Sequence, residues 1–365
     1  DIEGRKMSKS LGNIIDPLEI IEHVGADALR FSLVLITAAG QDVYLSEEKF
    51  KTGRNFANKI WNASRFVLIN LEPKIIPADP DAFLQKEKLN LINRWILSRF
   101  YSVLEKVNKA LDNFRFNETA NLLYSFFWHE FCDWYLEWIK PQAKVPQNQI
   151  VMYRVLEGFL RILHPFMPFI TEEIWQKMNS LGEKLTSLQK SIMIQDWPPL
   201  KKEFIEKRIE SNMKTIFEIV RTLRNIRTEL SIPMDLKLEV SLSPLSSFSR
   251  RFLEETQTCI ENLAKANIKI QPKPRYLNAK ISRIIKDIWV TVPLEGVVDL
   301  KKEKERIETQ IQELRKLIKS KQEILNNKEF LRKAPSEIVE SERKKLKELE
   351  ETLKQLKQLK DELFF

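Results

Sequence analysis

Between residues 53 and 180, apolar side chains recur at helical rather than strand spacing. This pattern settles most of what the chain can become. Phe56, Ile60, Trp61, Ala63, Phe66, Val67 and Leu71 share one helical face, as do Leu91, Trp95, Leu97, Val103, Leu104, Val107 and Leu111. A period near 3.6 held over such lengths predicts amphipathic helices packed as a bundle. Residues 116–139 add Tyr124, Phe126, Phe127, Trp128, Phe131, Trp134, Tyr135 and Trp138. This aromatic cluster reads as bundle core; the competing reading is a platform for stacking bases. His164-Pro165-Phe166-Met167-Pro168 breaks one helix, Thr171-Glu172-Glu173 opens the next, and residues 203–230 form another. Ahead of the bundle, residues 1–50 read as a loop and two short helices. The first is Pro17–Val24, with Asp16 as N-cap and proline in the first turn, and the second is Ala26–Ile36.

After Trp197-Pro198-Pro199 the texture changes by degrees. Leu236-Lys237-Leu238-Glu239-Val240, Ile268-Lys269-Ile270 and Trp289-Val290-Thr291-Val292 alternate as strands do, around a helix at 246–266. The expectation is a small α+β module. From residue 299 on, Ile307, Ile311, Leu314 and Ile318 step by four, three, four. Beyond Asn326-Asn327 and Pro335, Leu346, Leu349, Leu353 and Leu356 step by three, four, three. That is the spacing of a two-helix antiparallel coiled coil, each helix roughly 40 Å long. Such an arm grips something extended or dimerises, and periodicity does not choose between the two.

Charge sharpens the division. Residues 1–200 carry 24 basic and 24 acidic side chains, residues 201–298 carry 18 and 12, and residues 299–365 carry 18 and 15. The whole excess of +9 lies in the second half, which points to a polyanionic partner there. Arg221, Arg224 and Arg227 fall every three residues along one helix, either as a solvated face or as guanidiniums poised to clamp phosphates.

Several classes of function are excluded. A hydrophobic fraction of 43% is too high for a disordered chain. No apolar run reaches the length of a membrane span; residues 31–40 come nearest and include Ser32 and Thr37. Cys132 and Cys259 cannot build a disulfide framework or a four-cysteine zinc site, which fits a reducing, cytoplasmic setting. His23, His129 and His164 form no metal-binding spacing, so no metal site is expected. Glycine-rich phosphate cradles are absent too. The chain opens Asp1-Ile2-Glu3-Gly4-Arg5, with neither Met nor a signal peptide, as a piece of a longer polypeptide would.

The string Lys6-Met7-Ser8-Lys9-Ser10, followed by Leu11-Gly12-Asn13, carries the chemistry. Two lysines three apart on a bendable loop place two ammonium groups on one polyphosphate, and the serines add hydroxyl donors. Attack on an α-phosphate with pyrophosphate leaving is the reaction that needs them, because charge grows on the departing group in the transition state.

These residues resemble the second signature of class I aminoacyl-tRNA synthetases, and Leu11-Gly12-Asn13 resembles the valine and isoleucine enzymes. Arg54-Asn55-Phe56-Ala57-Asn58-Lys59-Ile60-Trp61-Asn62-Ala63 and Phe131-Cys132-Asp133-Trp134-Tyr135-Leu136-Glu137 are similar to the anticodon-binding bundle of the valyl-tRNA synthetase family. The string from His164 to Glu173 recurs more widely among the enzymes for hydrophobic amino acids. The terminal hairpin, with Lys333-Ala334-Pro335-Ser336-Glu337-Ile338-Val339, resembles the arm of the valine enzymes. The cysteine-rich zinc module common in isoleucyl enzymes is missing. Ala26-Asp27-Ala28-Leu29-Arg30 matches the helix linking catalytic domain to bundle.

The resemblance implies four parts. Residues 1–50 are the tail of a Rossmann-type catalytic domain with stem-contact helices, 51–232 the anticodon-binding bundle, 233–298 the small α+β module and 299–365 the coiled-coil tRNA-binding arm. It implies that Lys6, Met7, Ser8, Lys9 and Ser10 bind ATP, with Lys6 and Lys9 catalytic, and that Mg2+ accompanies the nucleotide. Arg54, Arg221, Arg224, Arg227, Lys301 and Lys302 are the basic side chains expected at tRNA. The implied function is the C-terminal part of a valine–tRNA ligase, monomeric when complete, taking ATP, valine and tRNA-Val. The family's His-x-Gly-His signature is absent, so this chain alone should not activate valine. The alternatives are an isoleucyl enzyme, a noncatalytic tRNA-binding module, or a coiled-coil interaction protein without an RNA role.

Overall fold

The computed structural model describes residues 1, 3–37, 43–181, 188–233, 235–273, 280–294, 300–326 and 336–364. They form two compact units, Asp1–Met213 and Lys214–Phe365.

In the first unit, Asp16 accepts a hydrogen bond from the Leu18 amide at 2.8 Å and starts α1 (Pro17–Val24), with proline at its first turn. Gly25, at φ +90°, separates α1 from α2 (Ala26–Ile36). The bundle then runs through α3 (Glu47–Asn70), α4 (Pro80–Lys86), α5 (Leu91–Asp112) and α6 (Phe116–Ser125). A π-helical stretch, Phe126–Leu136, continues into the single turn α7 (Glu137–Ile139). α8 (Pro146–Leu163), α9 (Pro168–Asn179) and the start of α10 (Lys207–Glu229) complete it. Asp79 and Asn90 cap α4 and α5 through the amides of Ala82 and Asn93.

The π stretch was not foreseen from the spacing. It has a packing cause: Phe126, Phe127, Phe131, Trp134 and Tyr135 are all buried. Steps of four and five between them match a wider turn than 3.6 residues. Phe127 stacks on Phe159 of α8 at 4.2 Å between ring centroids, and Phe31 of α2 meets Phe56 of α3 at 4.8 Å. The aromatic cluster is therefore largely core.

Two polar networks cross this core. Arg154 of α8 donates Nε and Nη2 to the two oxygens of Asp81 at 2.6 and 3.1 Å and Nη1 to Glu157 at 3.0 Å, with the Tyr101 hydroxyl closing the cluster. Arg99 holds Glu130 with two bonds and Glu210 with one. Glu210 also accepts from Ser98 and Ser102, both at 2.7 Å. Burial opposes its charge, but these donors win and hold its carboxyl below the ordinary range.

In the second unit, β1 (Leu238–Pro244) pairs in parallel with β2 (Ala266–Ile270) across α11 (Ser247–Ala264). β4 (Ile288–Pro293) lies antiparallel between β1 and β3 (Lys280–Ile285), in the order β2-β1-β4-β3. The expected module is present, with differences. Its first strand starts at Leu238 rather than Leu236, and β3 was not anticipated, because Lys280-Ile281-Ser282-Arg283 mixes half-exposed polar positions with one buried isoleucine. Likewise, helix α10 begins at Lys207, after a 3-10 turn at Lys202–Phe204. α12 (Leu300–Asn326) and α13 (Ser336–Phe364) form the hairpin. Ile307, Ile311 and Ile318 are buried in its seam, and Lys360 pairs with Glu308 across it at 2.8 Å. Lys333, Ala334 and Pro335 lie outside the described residues.

One close contact fixes α2 on α3. A Cβ on Gly53 would sit 2.4 Å from the Ala28 carbonyl oxygen and 2.5 Å from Ser32 Oγ, and the Gly53 amide donates to that hydroxyl at 3.1 Å. Gly53→Ala should therefore lower unfolding stability by about 1–3 kcal/mol through overpacking. That outweighs the ~1 kcal/mol of helix propensity gained; the shift of the urea midpoint measures the balance.

Candidate nucleotide and nucleic-acid interface

Residues 6–10 lie on a loop closed by its own neighbours. Ser8 is extended, Lys9–Leu11 make one 3-10 turn, and Gly12 at φ +62° reverses the chain where an L side chain would be strained. The Ser8 amide donates to Asn13 Oδ1 at 3.0 Å, and Asn13 Nδ2 donates to Asp1 Oδ2 at 2.8 Å. Asp1 in turn accepts from the amides of Glu3 and Arg5 and from Arg5 Nε. Ser8 and Ser10 hydroxyls lie 3.1 Å apart. Lys6 and Lys9 are exposed, and among the described residues neither ammonium has an ion-pair partner. The result is an ordered turn presenting two exposed cations and two hydroxyls, with Met7 half-buried against it. Asn13 is the organising residue that the sequence left without a role.

The segment after the loop docks onto the bundle. Asp27 is 7% exposed, and its oxygens accept from the amides of Phe169 (3.2 Å) and Ile170 (2.6 Å) in the first turn of α9. Arg30 Nη2 donates to the Pro165 carbonyl at 3.1 Å. Thus the Ala26–Arg30 string and the His164–Glu173 string, far apart in sequence, meet directly. Burial raises the Asp27 carboxyl above its ordinary value despite both amides, and burial lowers the neighbouring His164, whose Nδ1 lies 2.7 Å from Thr171 Oγ1.

Along α3, Arg54, Asn58 and Arg65 are exposed on one face with Trp61 half-buried between them. Lys177 of α9 lies over the Trp61 ring at 5.4 Å, and Lys59 lies over Trp128 at 5.2 Å while pairing with Asp133 at 2.8 Å. Lys59, Asn62, Phe66, Cys132 and Lys140 line a cavity of about 230 Å³. The Cys132 thiol is pushed by burial up to about 12, so it is a packing group, not a nucleophile. Half-exposed Tyr124 and Trp128 stack at 5.3 Å, the part of the aromatic cluster that reaches the surface.

The arginine stripe on α10 does not act as one phosphate-facing row. Arg227 is 2% exposed and donates Nε to Ala264 O at 3.3 Å, Nη1 to Pro233 O at 2.9 Å and Nη2 to Lys265 O. Arg224 donates twice to Leu263 O, at 3.3 and 2.9 Å. Both guanidiniums thereby close the C-terminus of α11, where carbonyls lack helical partners and the helix dipole favours a cation. The phosphate role read for Arg227 is corrected on this ground; a three-residue spacing cannot reveal a helix end packed alongside. Arg221 stays exposed. The side chains of Lys301 and Lys302 lie outside the described residues.

Among the described residues, no group of three or more His, Cys, Asp or Glu side chains could hold a metal ion. The Asp1 carboxylate is taken by Arg5 and Asn13 and is not a free ligand for Mg2+.

Comparison with known proteins meets this geometry at three places. Residues 1–46 match class I tRNA synthetases of the I, L, M and V group. Residues 93–242 match the anticodon-binding domain of tRNA ligase, and residues 299–363 match the valyl tRNA synthetase tRNA binding arm. The chain is thus a portion of a class I aminoacyl-tRNA synthetase. It is 40% identical to the valine–tRNA ligases of Thermotoga maritima and Carboxydothermus hydrogenoformans over 95% of its length, and 39% identical to that of Aquifex aeolicus over 96%. It spans only 38%, 39% and 31% of those relatives. Within its class it belongs with the valyl-tRNA synthetases, as their C-terminal part. A solved ternary complex of Agrobacterium radiobacter K84 LeuRS, tRNA and LeuAMS is more distant, with a TM-score of 0.44 at 23% identity over 56% of this chain and 23% of that one.

The buried and the exposed arginine of the stripe separate experimentally. Arg227→Met should cost about 2 kcal/mol, the scale of lost charge-assisted hydrogen bonds to buried carbonyls. Arg221→Ala, at an exposed side chain, should cost less than Arg227→Met. Urea unfolding of the two variants gives both numbers.

Proposed function

We propose that this chain supplies the second ATP-site signature and the tRNA-holding surfaces of a valine–tRNA ligase. The complete enzyme joins valine to the 3′ end of tRNA-Val through valyl-adenylate. In the first step a valine carboxylate oxygen attacks the α-phosphorus of ATP, the bond to the β-phosphate oxygen breaks, and pyrophosphate leaves. Lys6 and Lys9 neutralise the charge that grows on the departing pyrophosphate, and Ser8 and Ser10 donate to its oxygens. Because both lysines sit on exposed side chains above an ordered turn, they reach the phosphates when charge develops there, which lowers the barrier rather than merely tightening ATP binding. The observation that carries this reading is the hydrogen-bonded turn from Ser8 to Asn13 with both ammonium groups unpaired among the described residues.

The remaining assignments follow from the same reading. Residues 1–50 complete the catalytic domain, 51–232 hold the anticodon arm, 233–298 form the intervening module and 299–365 reach the tRNA elbow. Arg54, Arg221, Lys301 and Lys302 are assigned to the RNA backbone, and the Lys59–Trp128 pair offers a cation and a ring face to bases. The rest of the polypeptide supplies the His-x-Gly-His half of the site, where ATP with Mg2+ and valine bind, and the complete enzyme works as a cytoplasmic monomer. No described helix is long and apolar enough to cross a membrane.

In the complete enzyme, Lys9→Ala should slow valine-dependent pyrophosphate exchange by about 100-fold, the scale of one lost transition-state donor, while the Kd for tRNA-Val stays within about twofold. Equal losses in both would remove Lys9 from its role. Deleting residues 299–365 should do the reverse, weakening tRNA-Val binding in a filter assay and reducing its salt dependence while exchange persists.

A further inference from the structure

Helix α2, which follows the phosphate-facing loop after one short helix, is tied to the bundle at both ends. At its start, Gly25 is the N-cap and no side chain caps α2 itself. Asp27, in the first turn, instead sends its carboxylate to the neighbouring helix α9. That helix begins at Pro168 behind Met167, which offers no capping oxygen, and Asp27 satisfies two of its free amides, those of Phe169 and Ile170. One turn along the same face, Arg30 reaches the Pro165 carbonyl just before α9. At its far end, Asn117 of α6 donates Nδ2 to the carbonyls of Val34 (3.3 Å) and Leu35, the carbonyls that α2 leaves open. Gly53 and Ser32 close the third side against α3.

A hydrophobic face would pack α2 without burying a carboxylate. What the carboxylate adds is direction: two oxygens on two adjacent amides fix both the separation and the rotation of α2 against α9. α9 in turn places Lys177 on Trp61, beside Arg54, Asn58 and Arg65. We propose that Asp27 is a positioning residue for the tRNA-dependent step, holding the loop of Lys6 and Lys9 and the RNA-facing side of α3 and α9 in one frame. The proposal rests on the ligase reading above. Asp27 touches no reacting atom; it decides whether the tRNA held on the bundle delivers its 3′ end in register with the adenylate. The loop is closed by its own bonds through Asn13 and Asp1, so what the frame adds is the orientation of the bundle to the loop, which tRNA charging needs and valine activation does not.

The test uses the complete enzyme with D27A, D27N and, as a control, I96V in the buried face of α5. Valine-dependent pyrophosphate exchange without tRNA is compared with the charging of tRNA-Val, and thermal midpoints are recorded for each. D27A is expected to leave exchange within about twofold of the parent and to lower kcat for charging by about tenfold or more, at nearly unchanged KM for tRNA, as displacement of a positioned group does. D27N keeps one acceptor oxygen and should fall between D27A and the parent, which serves if D27A does not fold. Equal losses in both reactions, or the same pattern in I96V, would overturn the positioning role and leave the ligase reading standing. Absence of exchange in the unmodified enzyme would overturn the ligase reading itself.

Discussion

Helices leave amides open at one end and carbonyls at the other, and a protein made mostly of helices must find partners for them. Here the decisive partners are borrowed from other elements. Asp27 serves the start of α9, Asn117 the end of α2, and Arg224 and Arg227 the end of α11. Glu172 of α9 accepts from the amide of Ile192 and the hydroxyl of Ser191, pinning the segment that follows. Each of these bonds satisfies a backbone group and also fixes how two elements meet. Packing between apolar faces supplies most of the stabilisation but tolerates sliding; capping by a distant side chain does not.

Charged groups within the bundle follow the same logic. Arg154 is nearly inaccessible, and burial of such a cation is costly unless every donor is placed. Asp81, Glu157 and Tyr101 place them, across α4, α5 and α8. Burial still pushes the Glu157 carboxyl upward against the pull of Arg154 and Arg161. With a raised folded value the folded state holds the proton longer, so the contribution of Glu157 to stability falls as pH rises from the ordinary glutamate range through the raised value. Glu210 is the opposite case, with its folded value depressed. Its contribution is present above the ordinary glutamate range and is lost as pH falls through the depressed value.

Much of this was legible beforehand, for reasons that differ by element. Pro17–Val24 and Ala26–Ile36 have clear starts, and the hairpin has unbroken apolar steps, so their limits were readable. The signature at residues 6–10 was visible because a contiguous string carries it. The contacts of Asp27 were not, since their partners lie 142 and 143 residues away and are backbone amides, which have no sequence identity. The arginine stripe misled for a related reason: periodicity gives a face but not what that face meets. β3 escaped because its pattern depends on β4, with which Ile281 and Ile285 pair through Val292 and Ile288.

The π-helical stretch has a consequence for how much side-chain volume the bundle can hold. A wider turn advances less along its axis per residue than an α-turn does. Between Phe126 and Leu136 the chain therefore spends more residues on each ångström of axis, and seven of those eleven are buried. A regular helix of equal length would carry fewer rings across the same layer and would aim some of them at solvent. The altered pitch raises the linear density of aromatic mass where α3, α5 and α8 converge, and it lets a bundle of limited height enclose a core this rich in phenylalanine, tyrosine and tryptophan.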